Sequence, residues 1–434
     1  MGHRKQFLKE FFAFAAPHKY AVLKMVQDTI DELPESSDVD LLVERECLEE
    51  IERFCTDHQL VKKVHIQKKS FIWFITLLFK DDSYLEIDLL HRFDRKGVVY
   101  LDAREVLAKG VRYQNGLKVL TPSYSFEYIM LFYLVNHSAV PEKYREWFAG
   151  HTFEQRSEIF AHICHKYKLN LNTLDELYKP ASRFKVKINA FISALHPNRK
   201  HLRLVQRLRY LTDMTSDLIN NKGTIITFSG VDGAGKSTVL DKMRHVLSDK
   251  YRKKVVVLRH RPSLLPILSS FKHGKKKAES MAAASLPRQG KNNSSTGSLF
   301  RFLYYYSDYV FGQFYIQMRY VRRGYTVLYD RYYFDFIVDA QRSNIRLPKS
   351  IMKFGYHFVM KPKLNVFLYA SPEEILSRKQ EMNAKEIIEL TGQYKSLFEE
   401  FGKNYPNQDY LALNNSDLNT TLTTVEKHCI QATF

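Results

Sequence analysis

Two rhythms of apolar and polar positions divide this chain. To about residue 150, an opening helical segment gives way to short apolar runs at hairpin-like spacing. They are Asp38-Val-Asp40-Leu-Leu-Val43, Ser70 to Lys80 and Ser83-Tyr-Leu-Glu-Ile-Asp88-Leu-Leu90, the last two parted by turn material at Asp81-Asp82-Ser83. A small sheet is predicted. After Pro122 the period becomes helical, with Phe126, Ile129, Met130, Tyr133 and Leu134 on one face. From about Thr152 to Asn221 only helices are expected, and Asn220-Asn-Lys-Gly223 reads as a boundary. Beyond it, apolar runs alternate with helical stretches, the signature of a parallel sheet. The candidate strands are Thr224 to Gly230, Lys254 to Arg259, Thr326 to Asp330, Leu364 to Ala370 and Tyr410 to Asn414. Between the second and third lies Phe271 to Gly297, rich in Lys, Ser, Asn and Gly, which is expected to be a mobile loop that either caps a site or is merely solvated.

The first of those strands runs into Gly230-Val-Asp-Gly-Ala-Gly235-Lys236-Ser237, which satisfies G-x-x-x-x-G-K-[ST] at every fixed position. Gly230, Gly233 and Gly235 lack Cβ, so the backbone N–H groups of Asp232 to Thr238, Ala234 among them, can close around a phosphate chain. A helix opening at Lys236 adds the positive end of its dipole. Lys236 suits β and γ phosphates, and the Ser237 hydroxyl suits Mg²⁺. Strand three ends in Asp330-Arg331, and in a doubly wound sheet that end faces the same crevice. Asp330 can hold Mg²⁺ through water or accept a proton, and Arg331 can hold an anion; a plain surface salt bridge is the alternative.

Composition narrows the classes without choosing among them. Of 434 residues, 45% are hydrophobic and 26% charged, so folded domains rather than disorder are expected. The net charge of +19 suits polyanions, whether nucleotides, nucleic acid or anionic lipid. Arg199, Arg203 and Arg207 recur four apart beside a stripe of Leu204, Leu208 and Leu211, a pattern open to lipid, nucleic acid or a partner, and more often just a solvated helix face. Cys47, Cys55, Cys164 and Cys429 are scattered with no C-x-x-C pair, so a reducing, cytoplasmic compartment is expected. The N-terminal apolar stretch is broken by Lys9 and Glu10 and reads as an amphipathic helix. Phe71 to Phe79 reads as a buried strand, and no membrane span is expected.

From roughly Lys222 to Phe434 the chain resembles the thymidylate kinase family of P-loop kinases, through Phe228-Ser-Gly-Val-Asp-Gly-Ala-Gly-Lys-Ser-Thr238 and Asp330-Arg-Tyr332. The resemblance implies a three-layer α/β P-loop NTPase fold over 222–434, ATP and Mg²⁺ as cofactors, and a nucleoside monophosphate or sugar-type acceptor. It implies that Asp232 touches the acceptor's sugar hydroxyl and Arg331 its phosphate, and that Arg378 or Lys379 supplies a catalytic cation. The family's Arg-Glu-Pro appears as Arg259-His-Arg261-Pro262, without the carboxylate. Tyr304, Tyr305 and Tyr306 suit either stacking on a ring or core packing. A homodimer is compatible with this reading.

Alternation puts Asp38 and Asp40 on one side of a strand, and a neighbouring strand can bring Asp88 beside them. Three carboxylates so placed suit Mg²⁺ or Mn²⁺, and Glu86 shares the face of Asp88. With Ser36-Ser37 directly before Asp38 and with His137 in the following helix, residues 30–145 resemble the nucleotidyltransferase superfamily related to DNA polymerase beta. The resemblance implies an α+β nucleotidyltransferase-like domain over 1–150, and the helical pattern that follows makes 151–221 a helical linker region. A phosphotransferase is the leading expectation. A nucleotide-sensing module that regulates the first domain and a basic nucleic-acid-binding protein are the alternatives.

Overall fold

The computed structural model describes residues 2–24, 29, 32–35, 37–178, 183–195, 198–199, 202–220, 223–262, 265, 295–380 and 382–433. Chain contacts divide it into two compact units, Met1–Ser216 and Asp217–Thr433.

In the first unit, helix α1 (His3–Ala15) precedes β1 (Tyr20–Val22), β2 (Val39–Val43), α2 (Leu48–Asp57), β3 (Val61–Lys68), β4 (Ile72–Phe79) and β5 (Tyr84–Leu90). A separate hairpin, β6 (Phe93–Arg95) and β7 (Val98–Leu101), is followed by α3 (Ala103–Lys109), β8 (Val111–Gln114) and β9 (Leu117–Leu120). The seven-stranded sheet has the order β3-β4-β5-β2-β1-β9-β8. Within it β2 runs parallel to β5 and β1 parallel to β9, the other pairs being antiparallel. Alternation along β2 decides which core each side chain joins. Val39, Leu41 and Val43 enter the core under α1 and α2, and Leu42 enters the opposite one. That opposite face is covered by α4 (Pro122–Val135), α5 (Glu142–Ala149), α6 (Phe153–Tyr167) and α7 (Arg183–Ala194). Pro122 sits at the first turn of α4, where its missing N–H costs nothing.

Helix α8 (Arg203–Asn220) meets the first unit through polar residues. Gln206 bonds Arg92 at 2.8 Å, and Asp213 receives the N–H and hydroxyl of Ser70 at 2.9 and 2.6 Å. Both the arginines 199, 203 and 207 and the leucines 204, 208 and 211 are exposed.

The second unit contains β10 (Thr224–Gly230), α9 (Lys236–His245), β11 (Lys254–Arg259), α10 (Ser295–Arg319), β12 (Tyr325–Asp330), α11 (Phe334–Val338), α12 (Lys349–Tyr356), β13 (Leu364–Tyr369), α13 (Pro372–Arg378), α14 (Ala384–Asn404), β14 (Asp409–Asn414) and α15 (Leu418–Thr433). Its five strands are all parallel, in the order β11-β12-β10-β13-β14. β10, all of whose residues are buried, occupies the centre. Apolar runs of this kind belong in a sheet covered on both faces. The expected loop of 271–297 falls outside the described residues up to 294; Ser295 to Gly297 form the first turn of α10. Among the described residues no helix is long and apolar enough to cross a membrane.

Candidate functional site

The loop after β10 has the backbone its glycines were expected to allow. Gly230, Gly233 and Gly235 have φ of 151°, 90° and 83°. A Cβ on Gly230 would stand 2.3 Å from the Leu368 carbonyl oxygen, and one on Gly235 2.3 Å from the Asn415 amide nitrogen. The Leu368 backbone therefore requires glycine at 230, and the left-handed φ favours it at 235. The Asn415 amide also donates to the Ala234 carbonyl at 2.8 Å, tying the loop to the end of β14. Gly235 caps α9, whose first turn presents Lys236 buried and Ser237 and Thr238 exposed. The first N–H groups of a helix have no partner within it, so this turn is a ready anion site.

Lys236 is only 6% exposed. Its ammonium donates to the Val231 carbonyl at 2.8 Å and lies 3.7 Å from Asp232. Burial, helped by the Arg331 charge, pushes it down to about 7.

Asp330 ends β12, paired with Phe228 of β10 and Arg259 of β11, so it lies at the carboxyl edge beside the loop. Arg331 follows with φ of 75° and is buried. Its guanidinium donates to Asp335 at 2.9 Å, to the Gly230 carbonyl at 3.4 Å and to Asp232. Asp232 also receives Arg342, from the turn Ala340–Ser343. Despite burial, Arg331, Lys236 and Arg342 together hold the Asp232 carboxyl well below the usual range. Asp335 takes further bonds from Tyr394 at 2.8 Å and the Tyr332 N–H at 3.2 Å. Arg331 thus stands between two carboxylates, and an anion reaching it would have to replace one of them.

Arg378, exposed at the end of α13, donates to the Gly233 carbonyl at 3.4 Å. Ile375 of the same helix would meet a Cβ on Gly233 at 3.1 Å, so α13 lies against the loop. Lys379, exposed, caps that helix. Arg261 bonds the buried Asp308 at 2.6 Å and the Leu265 carbonyl at 2.9 Å, and its guanidinium lies over the Tyr305 ring. Tyr306 stacks on Phe302 and donates to the Gly355 carbonyl at 3.0 Å, which is core packing. Burial, with Arg331 adding, pushes His260 down to about 4.

Sequence reasoning assigned no role to Arg342, Asp335, Tyr394 or Asn415. The i, i+4 spacing of Arg331 and Asp335 on a helix start was a usable signal. Nothing local marked the other three, which arrive from distant segments.

In the first unit, Asp40 and Asp88 are register partners on β2 and β5. One carboxylate oxygen from each of Asp38, Asp40 and Asp88 lies within 4.8 Å of the others. Lys24, with φ of 53°, follows β1, where the Leu23 N–H donates to the Asp40 carbonyl at 2.8 Å. Its ammonium pairs with Asp40 at 3.2 Å and lies over the Phe132 ring at 4.9 Å. Burial first, then the charges of Asp40, Glu86 and Asp38, push Asp88 up to about 9, with Lys24 opposing. Glu86 accepts from Tyr84 at 3.2 Å. Oδ1 of Asp88 is buried with no hydrogen-bond partner among the described residues. Ser36 falls outside those residues, and Ser37 lies just ahead of Asp38 with its carbonyl held by Arg4 at 2.9 Å. His137, with φ of 54°, follows α4.

Residues 228–413 match the sequence model of the thymidylate kinase family. No curated protein sequence matches the chain. Among solved structures, a thymidylate kinase from Ehrlichia chaffeensis aligns over 48% of this chain and 98% of its own, at 18% identity and a TM-score of 0.32.

Proposed function

From the premise that residues 228–413 form a thymidylate kinase-like domain, we propose that the second unit moves the γ-phosphoryl group of ATP onto a nucleotide or another small anionic acceptor. The observation that carries this is the buried Lys236 ammonium at the mouth of a loop whose glycines answer to the Leu368 backbone and to left-handed φ. On nucleotide binding, Lys236 exchanges the Val231 carbonyl for the terminal phosphates, and the N–H groups at the start of α9 donate to the phosphate oxygens. Ser237 and Asp330 would hold Mg²⁺, which would supply charge neutralisation to the transferred group. Arg378, already against Gly233, completes the cationic surround. Asp232 and Arg331 position the acceptor.

Incubation with ATP labelled at the γ or the α phosphate, across a panel of nucleoside monophosphates and sugars, tests this. Label from the γ position is expected on an acceptor. Free phosphate alone would leave a nucleotide sensor, and transfer of the α label would move the chemistry to the first unit.

A second reading concerns that first unit, and the unpartnered Oδ1 of Asp88 favours it. An all-oxygen donor set of three carboxylates suits a hard divalent cation, Mg²⁺ or Mn²⁺. Asp38, Asp40 and Asp88 would hold it, as a nucleotidyltransferase requires, and Lys24 would give up Asp40 to it. The double variant Asp38→Asn, Asp40→Asn is expected to lose Mn²⁺ binding read by electron paramagnetic resonance without nucleotide. Equal binding by both proteins removes this reading.

A further inference from the structure

Helix α8 sits on the first unit by its polar edge. Gln206 and Asp213, the residues that meet Arg92 and Ser70, lie about 20° apart around the helix. The seat is close: a Cβ on Gly97 would stand 3.1 Å from the Gln206 carbonyl oxygen. Leu204, Leu208, Leu211 and Thr215, at intervals of 4, 3 and 4, run along the opposite edge. That edge is exposed among the described residues, the three leucines by 47% to 66%, with Val205 and Met214 exposed at its margins. A helix at a protein surface ordinarily turns its apolar edge inward, and α8 does the reverse. Its surroundings are basic. Arg203 and Arg207 follow one side of the leucines, Arg209 the other, and Arg199 precedes the helix, all exposed. Asp213, the one acid between Arg199 and Ser216, is turned away onto Ser70.

We propose that this edge of α8 lies in the surface of an anionic membrane, with the leucines at the acyl boundary and the arginines among the headgroup phosphates. Charge supports the choice of occupant. A helix lying in the interface plane needs cations beside its apolar stripe, and arginine stems can lie along leucines while their guanidinium groups reach outward. The chain's net charge of +19 draws it to the same surface. Area speaks against a second copy. The exposed apolar side chains of α8 leave roughly 400 Å² open, about half of what each partner gives to a standard stable interface. An antiparallel second copy would also set Arg203 and Arg207 against the same two residues. Nucleic acid would use the arginines and leave the leucines without a role, since its backbone is held by polar contacts.

The proposal does not depend on the reaction proposed above. Co-sedimentation of the full chain with phosphatidylcholine vesicles, plain or carrying about 30% phosphatidylglycerol, reads it directly. The wild type is expected to bind the anionic vesicles and leave the neutral ones. The double variant Leu204→Gln, Leu208→Gln keeps every charge and is expected to bind roughly tenfold less, and Arg207→Gln about fivefold less, both with an unchanged circular dichroism spectrum. In Leu208→Trp the added indole should shift its emission to the blue on anionic vesicles, over the background of Trp73 and Trp147, and be quenched by brominated acyl chains. That readout belongs to α8 and to no other basic segment. A wild type left in the supernatant overturns the proposal. Undiminished binding of the leucine variant overturns it equally, because charge alone would then suffice. A dimer or an RNA complex that needs the leucines, in place of vesicle binding, would give the edge to that occupant and also overturn it.

Discussion

Replacing Lys236 with methionine is expected to lower turnover by about 10²–10³-fold, the usual cost of removing one preorganised group that meets transition-state charge. The same change is expected to stabilise the empty protein. In the wild type the ammonium is enclosed, held by one carbonyl and the shared Asp232, and burial has brought it down to about 7. Exchanging an enclosed charge for an apolar chain of similar volume commonly gains about 1–4 kcal/mol. Asp232 keeps Arg331 and Arg342, so no new orphan is made. The unfolded chain holds this proton up to its ordinary value of 10.5, so folding expels a proton between about pH 7 and 10.5. The penalty is full below that window and fades through it, so wild-type stability climbs with pH there. Thermal melts from pH 6 to 10 should therefore show the lead of Lys236→Met shrinking. A variant that keeps its turnover, or melts lower at neutral pH, contradicts the role assigned to this lysine.

Arg331→Met is expected to act in the opposite sense on stability, at a cost of about 3–5 kcal/mol, because it leaves Asp335 buried without its cation. For a unit of this size that is a fall of roughly ten degrees or more in melting temperature. Arg331 and the Tyr394 hydroxyl hold the Asp335 carboxyl below its usual range against burial. A carboxyl depressed on folding contributes stability above its unfolded value, lost as pH falls through the folded one. The wild type should thus resist acid further than the variant. Melting curves from pH 3 to 7 check this, and a variant within a degree or two of the wild type would show that the guanidinium is dispensable to the fold.

Much of the second unit was legible because its signals are local. The central strands β10, β12 and β13 are continuous buried runs, as covered parallel strands must be, the outer β11 and β14 keep apolar middles between polar ends, and the five expected runs match β10 to β14 within a residue or so. The phosphate loop was legible because its glycines answer to backbone geometry that few other sequences satisfy. Arg342 and Asn415 were not, since they reach the loop only through the fold. The first unit was harder to read. β3 carries lysines and a histidine on exposed positions, which hides its alternation, and β1 and β6 are three residues long. Asp38, Asp40 and Asp88 were recoverable because period-two alternation and a parallel neighbour settle their face. On α8 the leucine period specified a helix but not which side is covered, and its docking falls to Gln206 and Asp213.

Titration calorimetry of the intact chain with magnesium and each common nucleoside triphosphate bears most directly on the central claim, that the turn between β10 and α9 encloses a polyphosphate. Saturable heat is expected with at least one triphosphate, lost in Lys236→Met, and proton uptake by the lysine should make that heat vary with the buffer's ionisation enthalpy near pH 8. No heat with any of them, or an isotherm unchanged in Lys236→Met, would contradict the account.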